Sequence, residues 1–502
     1  MLELLSLPEV ALVREIASQR RYEVILVGGA LRDALLGQPI HDLDFAVQSD
    51  SRGTVALARV VADRLRGAFY LMDSERGTAR VIVGLANQPH LNLDFAACRG
   101  ESWNEDLFAR DFSVNAIALD IASGVLLDPT GGQADLAAGI VRQVTPHALS
   151  DDPVRALRAV RLEQALGAVI EPATLASVRT AAPLLHVPSV ERVRDELMKI
   201  LALSTAARAI RRLDALNLLR ELVPEIDAMR ECTQSSPHRF TVLEHTFAVL
   251  DYLDELIHTL TSDAENVPEW LREFDIAPQD RAALRQQLLT ETSNERTRLS
   301  VFRLAALLHD IAKPAQRSVG DDGRIHFYGH EEAGAGVAAE RATALRLSSD
   351  EVDFVRTIVR NHMRPNQMSR HDHLTDITAR ALYRYFAATA DSAVEIALFC
   401  MADGMGKAGA ESSPADIRRR EKIAALLIRS YYERFSPQAS PKPLINGRDV
   451  MGLGVSQGLL VGKVLNAVRE AQMVGEISTY KAALAMAQQL IIAAGLDSTV
   501  NG

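Results

Sequence analysis

The sequence predicts an α+β protein, with a small mixed β-sheet and its helices over residues 1–145 and an all-α remainder. Three observations carry this. Up to about Thr145, short β-branched and apolar runs (residues 22–27, 43–47, 79–83 and 91–95) alternate with helical stretches and are divided by Gly and Asp. From Asp151 onward such runs nearly vanish, and Leu, Ala and Arg recur at helical spacing with breaks at Pro172, Pro188, Pro224 and Pro237. The chain is 502 residues long, which at roughly 100 to 200 residues per domain predicts three or four domains. The expected segments are 1–145 (sheet domain), 146–235 (helical neck), 236–410 (helical domain) and 411–502 (helical C-terminal module).

Hydrophobic residues make up 48% and charged residues 24%, the balance of a chain that builds buried cores. Lys and Arg number 55 against 65 Asp and Glu, a net of −10, so any nucleic acid must meet a local basic patch. Cys98, Cys232 and Cys400 are far apart, which excludes a disulfide framework and a Cys-rich zinc site and fits a reducing cytoplasm. Residues 1–21 alternate Leu with Glu and Arg like an amphipathic helix, without a secretion signal. Apolar runs such as residues 304–308 fall short of the ~20 needed to span a bilayer, so a soluble protein without membrane partners is expected. Residues 261–298 carry 8 acidic and 5 basic side chains and are expected to form a solvated helical hairpin. Residues 411–502 hold 11 basic against 8 acidic residues, a mildly basic tail.

An apolar strand ending at Val27 runs into Gly28-Gly29 and then helical spacing. Two glycines there let the backbone approach a phosphate at a helix N-terminus, although a ligand-free tight turn gives the same pattern. No Gly-Lys-Ser/Thr follows, which excludes a P-loop. Asp42-Leu43-Asp44 lies 13 residues beyond Gly29. In a strand, residues i and i+2 share a face, so both carboxylates point together while Leu43 and Phe45 point to the core. Asp94, in a second alternating strand, is placed to join them. Such a cluster suits Mg²⁺, which bridges carboxylates to phosphates in an in-line nucleotidyl transfer. The alternative is a pair of edge-strand or turn acids.

These residues carry a resemblance. Leu26-Val-Gly-Gly-Ala-Leu-Arg-Asp-Ala-Leu-Leu-Gly-Gln-Pro-Ile-His-Asp-Leu-Asp-Phe45 resembles the signature of class II tRNA nucleotidyltransferases and bacterial poly(A) polymerases. Asp106-Leu-Phe-Ala-Arg-Asp-Phe-Ser-Val-Asn-Ala116 resembles the family's ribose-recognition motif, with Ala109 where a first arginine is usual. Asp128-Pro-Thr-Gly-Gly resembles its closing turn. The resemblance implies a nucleotidyltransferase palm domain that adds C and A residues to the tRNA 3′ end from CTP and ATP. Asp42 and Asp44 would hold Mg²⁺, and Asp94 would complete the clamp and draw the 3′-hydroxyl proton. Gly28, Gly29, Arg32, Arg110, Asp111 and Arg158 would meet the nucleotide. The six residues between Arg99 and Asp106 form a shorter loop than many relatives carry, and in the family a short loop accompanies enzymes that stop after CC.

Asp151-Asp-Pro-Val-Arg-Ala-Leu-Arg158 begins a helix, with an Asp cap expected. Asp152 and Arg155 stand three apart. Asp only accepts and Arg only donates, so together they can accept from the exocyclic amine of C or A and donate to the adjacent ring nitrogen. A surface i,i+3 ion pair is the alternative. Glu191, Arg192 and Glu196, in the resembling neck helix, are expected to brace this helix.

Further on, His245, His309-Asp310, His330, His362 and Asp403 form a series of imidazole and carboxylate ligands suited to one or two divalent transition ions. The series resembles the HD phosphohydrolase superfamily, which implies hydrolysis of 2′,3′-cyclic phosphates or other phosphoesters, with Lys313 holding phosphate. A metal-free RNA-positioning domain is the alternative. Competing with the leading function are a poly(A) polymerase, a metal phosphohydrolase with a degenerate N-terminal half, and a non-catalytic RNA-binding scaffold. The C-terminal segment resembles the helical module of HD-bearing relatives, implying tRNA contact.

Overall fold

The alternation of Asp-Leu-Asp-Phe-Ala-Val is what a half-buried strand requires, and residues 42–47 are one. A computed structural model describes residues 2–40, 42–84, 91–262, 267–293, 296–368, 377–408 and 413–494. By its internal contacts the chain forms two compact units, Met1–Leu222 and Val223–Gly502. The boundary between the units falls within the segment 146–235, and the short helix Ile226–Arg230 packs on Val242–Thr261 in the second unit.

The first unit is built on a seven-stranded sheet. Its strands are β1 (Val24–Val27), β2 (Asp42–Val47), β3 (Ala68–Asp73), β4 (Thr78–Val83), β5 (Leu91–Ala97), β6 (Ala118–Asp120) and β7 (Leu126–Leu127), in spatial order β3-β4-β5-β2-β1-β6-β7. β2 and β5 run parallel and the other described pairs antiparallel, so the sheet is mixed as expected. Leu43, Phe45 and Val47 turn to one face and join Leu93 and Phe95 under the helices Pro8–Arg20 and Ser51–Leu65. Phe45 and Phe95 stack at 5.0 Å. The opposite face carries a smaller apolar cluster of Ile25, Val27, Ala46, Leu107 and Ala118. Strand alternation puts Asp42 and Asp44 on Ala46's side, the side of the 106–116 motif. β3 was not expected, because its Ala-Phe-Tyr-Leu-Met-Asp is largely exposed and shows no alternation; β6 and β7 are too short to register as a pattern.

Beyond the sheet, Val154–Leu166, Val190–Ala202 and Ala206–Ala215 pack together. The expected Asp cap is not there: Asp151 ends the preceding helix Ala148–Asp151, and Pro153 takes the N-cap position without a side-chain cap. Asp152, extended between the two helices, directs its carboxylate to arginines instead.

Among its described residues the second unit is helical apart from two small antiparallel strand pairs, Glu291–Ser293 with Arg296–Thr297 and Ser318–Val319 with Ile325–His326. Instead of a helical hairpin, the described part of 261–298 forms the short 3₁₀ helix Glu269–Leu271, the α-helix Pro278–Leu289 and the first of these strand pairs. Most of its described charges are exposed, but two turn inward: Arg296 pairs with buried Glu351 at 2.8 Å and Arg298 with buried Glu395 at 2.5 Å, and such pairs fix a chain path. Gly447–Met451, Leu459–Val474 and Tyr480–Ala493 close on their own apolar cluster around Val450, Val464 and Ala487. One stretch, Ala379–Lys407, is long and apolar enough to cross a bilayer, a length the sequence reading did not single out; most of it is buried against neighbouring helices.

Candidate functional sites

β1 must stop sharply to bring its end over β2, and Gly28 does this at φ 77° and ψ −143°, outside the regions open to other residues. A Cβ there would lie 2.9 Å from Asp44 Oδ2, so the bend and the carboxylate occupy one small space. Parallel pairing sets Asp44 directly beside Asp94, and Asp42 beside Asn92, whose amide donates to Asp42 Oδ1 at 2.9 Å. Burial, then the charges of Asp94 and Asp42, push the Asp44 carboxyl up to about 6, although Arg110 and Arg80 oppose this. Crowded carboxylates of this kind are what a divalent cation relieves, so Asp42 and Asp44 fit a magnesium site. Asp94 is different: Arg80, across from it on β4, donates to both of its oxygens at 2.8 and 2.9 Å. The sequence reading missed Arg80. Its polar place in an otherwise apolar strand was the signal, but only the β4–β5 register shows what it faces.

Of the remaining expected nucleotide contacts, Arg32 donates to Asn115 Oδ1 at 2.7 Å and pairs with Asp33, so it braces the motif. Asp128 accepts from the backbone of Gly132 and Gln133, a structural turn. Arg110 pairs with buried Asp106 at 2.8 Å. It lines a cavity of about 790 Å³ together with Arg99, Asp111, Asp152, Arg155 and Arg158. The three metal-site acids are not in its described wall, but Asp44 feels Arg110's charge. Burial alone would raise the Asp111 carboxyl; Arg158 at 2.8 Å and bonds from Phe112 N and Asn115 hold it down at about 2. Arg158 and Arg161 both pair with Glu196, and Arg192 reaches Asp152 at 2.6 Å, so Glu196 and Arg192 brace the helix as expected. Glu191 is exposed and joins no ion pair among the described residues.

The pair expected to read the base is held from behind. Arg155 donates to the carbonyls of Arg110, Ala148 and Ala109 at 3.1 to 3.2 Å, and its Nε lies 3.7 Å from Asp152. A guanidinium carries five N–H donors, so donors remain for a ligand. Asp152 Oδ2 takes Arg192, whereas its Oδ1 is buried with no hydrogen-bond partner. Arg99, also unforeseen, places its guanidinium 3.4 Å from the Ala109 carbonyl.

In the second unit the helices bring the whole predicted series together. His245 sits in the first turn of Val242–Thr261, His309 and Asp310 follow Arg298–Leu308, His330 opens His330–Ala344, His362 ends Ser349–Asn361, and Asp403 lies in Ala393–Ala408. All are buried. His309 and His245 approach Asp310 Oδ2 at 3.0 and 3.5 Å; His330 and His362 approach its Oδ1 at 3.5 and 3.9 Å. The result is two three-residue groups sharing Asp310. His309, His330 and His362 each direct Nδ1 to a backbone carbonyl, of Ala306, Phe327 and Val359, at 2.7 to 2.8 Å. That fixes the N–H on Nδ1 and leaves Nε2 a free lone pair facing inward. Burial, reinforced by His309, pushes the His362 imidazole down to about 3, keeping it neutral. Asp310 Oδ1 and the Nε2 atoms of His309 and His330 are buried without hydrogen-bond partners, which fits a donor set for one or two divalent ions. Asp403 adds a carboxylate 3.2 Å from His245 and is held by Lys407 at 2.6 Å. Lys313 reaches Asp310 at 2.7 Å.

Comparison with known proteins agrees with this layout. Residues 24–142 match the poly A polymerase head domain, 169–230 the probable RNA and SrmB-binding site of polymerase A, and 242–393 the HD domain. The chain is 32% identical over 481 residues to the A-adding tRNA nucleotidyltransferase of Deinococcus radiodurans, covering 92% of this chain and 94% of the relative. It is 30% identical over 466 residues to the CC-adding tRNA nucleotidyltransferase of Thermus thermophilus, covering 91% and 92%. A solved CCA-adding enzyme in an apo form shares the fold with a TM-score of 0.56 at 20% identity, over 98% of this chain and 94% of that one.

Proposed function

Because this chain belongs to the family of class II tRNA nucleotidyltransferases and bacterial poly(A) polymerases with a C-terminal HD domain, we propose that it adds C and/or A residues, without a template, to the 3′ end of tRNA. The donor is CTP, ATP or each in turn, and pyrophosphate leaves. The observation that carries this is the buried, unpartnered Oδ1 of Asp152 beside the anchored Arg155. An acceptor next to a donor matches the edge of C or A and mismatches U and G, which present the opposite pattern. Rejection follows from the cost of leaving such buried groups unpaired.

Bound at Asp42 and Asp44, magnesium supplies charge neutralisation for the departing pyrophosphate and orients the attacking hydroxyl. The chain's own residues do the rest. Gly28 leaves room for Asp44, and Arg110 and Arg158 set a positive wall on the cavity for the triphosphate and ribose. Asp94 accepts one bond from Arg80 on each oxygen and keeps lone pairs with which to take the 3′-hydroxyl proton.

The segment between Arg99 and Asp106 is a tight turn: Ser102 caps the helix Trp103–Phe108, and Glu105 accepts from Glu101 N at 2.8 Å. This short turn supports addition that stops after CC. Incubation with tRNA ending at the discriminator base, with CTP and ATP singly and together, tests both statements by product length. Two residues from CTP alone, unchanged by ATP, are expected. Long tails from ATP on any RNA, or no extension, would overturn the reading.

The clustered ligands of the second unit support metal-dependent hydrolysis of 2′,3′-cyclic phosphates and other phosphoesters. His309→Ala with Asp310→Ala is expected to remove metal-stimulated hydrolysis while sparing tRNA extension; loss of both would mean the cluster is structural.

A further inference from the structure

The metal-ligand cluster opens into a cavity of about 270 Å³, whose wall includes Asp310, His330, Lys313, Lys407, His326 and Tyr328. Its inner part offers ammonium donors: the two lysines lie against Asp310 and Asp403 at 2.7 and 2.6 Å and keep N–H groups to spare for an anion. Its rim is aromatic. His326 and Tyr328 stack at 5.0 Å with their rings 9° apart, and Tyr328 is 75% exposed, far more than a ring of this size needs for packing.

This rim is held in register with the cluster. His326 belongs to the hairpin Ser318–Val319 with Ile325–His326, whose Ile325 N donates to Ser235 Oγ at 2.7 Å. Between the two rings, the carbonyl of Phe327 receives His330 Nδ1 at 2.7 Å, and Phe327's own ring packs under Lys313 at 5.4 Å. The rim aromatics and a cluster histidine therefore share one short, doubly anchored segment.

We propose that His326 and Tyr328 form a base-stacking platform, so that the second site selects nucleoside phosphoesters, 2′,3′-cyclic or terminal phosphates at an RNA end, over small or sugar phosphates. This rests on the hydrolase reading above. The anion lies inside with the lysines, the ribose spans the cavity, and the base covers the open face of Tyr328, where stacking tolerates any base. A phosphotyrosine places its ring next to the phosphate and cannot reach the rim.

The full-length protein carrying Arg155→Ala, which disables base reading in the first site, is titrated with 2-aminopurine riboside 3′-monophosphate, a probe whose fluorescence falls on stacking. Quenching is expected for the parent and for Tyr328→Trp, and its loss for Tyr328→Ala. KM for adenosine 2′,3′-cyclic phosphate should rise about tenfold or more in Tyr328→Ala, with kcat/KM for glycerol 1,2-cyclic phosphate unchanged. No quenching by the parent, an unchanged nucleotide KM in Tyr328→Ala, or an equal dependence of phosphotyrosine hydrolysis on Tyr328 would overturn the proposal. Tyr328-dependent quenching without hydrolysis of any ester would uphold the platform and refute the hydrolase. Hydrolysis of the glycerol ester, with Tyr328→Ala silent throughout, would do the reverse.

Discussion

Replacing Gly28 by Ala separates stability from catalysis. The added Cβ sits at a backbone conformation of φ 77° and ψ −143° that only glycine adopts freely, which costs about 1–3 kcal/mol. In a unit of this size that lowers Tm by roughly 3 to 9 °C. The same Cβ would stand 2.9 Å from Asp44 Oδ2, whereas ordinary contacts begin near 3.4 Å, so the carboxylate must withdraw. Swinging a side-chain end aside adds little to the folding cost. It does move one of the two acids proposed to hold magnesium by about 0.5 Å, half the displacement that costs on the order of 100-fold in rate. Single-turnover extension of tRNA with radiolabelled CTP, below the melting range, should show the rate reduced about 10-fold with little change in KM for CTP. A variant that extends tRNA at the parental rate, although destabilised as calculated, would show that Asp44 does not need its present position and would refute the argument.

Asp44 also sets a pH dependence. A carboxyl raised from 3.8 to about 6 contributes stability that is complete below the unfolded value and lost as pH rises through 6. The loss amounts to roughly 3 kcal/mol at most. Asp44→Asn should therefore raise Tm of the metal-free protein at pH 8, leave it unchanged near pH 3.5, and abolish extension. Magnesium should stabilise the parent more at pH 8 than at pH 5, measured by thermal shift. Asp111 has the opposite sign: held at about 2 by Arg158, it contributes stability that is present above 3.8 and lost as pH falls through 2. Asp111→Asn leaves Arg158 underpaired and should cost about 3–5 kcal/mol in urea unfolding. Because Asp310 is common to both ligand groups, Asp310→Ala should empty the second unit of manganese by elemental analysis, whereas His330→Ala should remove only part of it.

Much of both sites was legible in the sequence because strand and helix periodicities place side chains without help from the rest of the fold. Asp42 and Asp44 share a face by alternation alone, and the diglycine before them marks a bend that the backbone angles bear out. The histidine and aspartate series was legible for a different reason: few chemistries other than metal binding bring so many competent ligands onto apolar helices. Arg80 was not legible, since its partner is fixed by the register between β4 and β5, which follows from long-range pairing. The turn at Asp152 misled for a local reason, because Asp-Asp-Pro reads as a capped helix start whereas both acids are employed elsewhere. The inward charges of 291–298 read as solvated because their acidic partners, Glu351 and Glu395, lie 55 and 97 residues away or more.

The grip on Arg155 by the oxygens of residues 109, 110 and 148 has a consequence for how this pocket drifts over generations. A main-chain oxygen survives almost any replacement of the side chain beside it. A side-chain replacement at position 109 therefore leaves the guanidinium proposed to read the incoming base held as firmly as before. Nucleotide choice then depends on the course of the backbone more than on the letters along it.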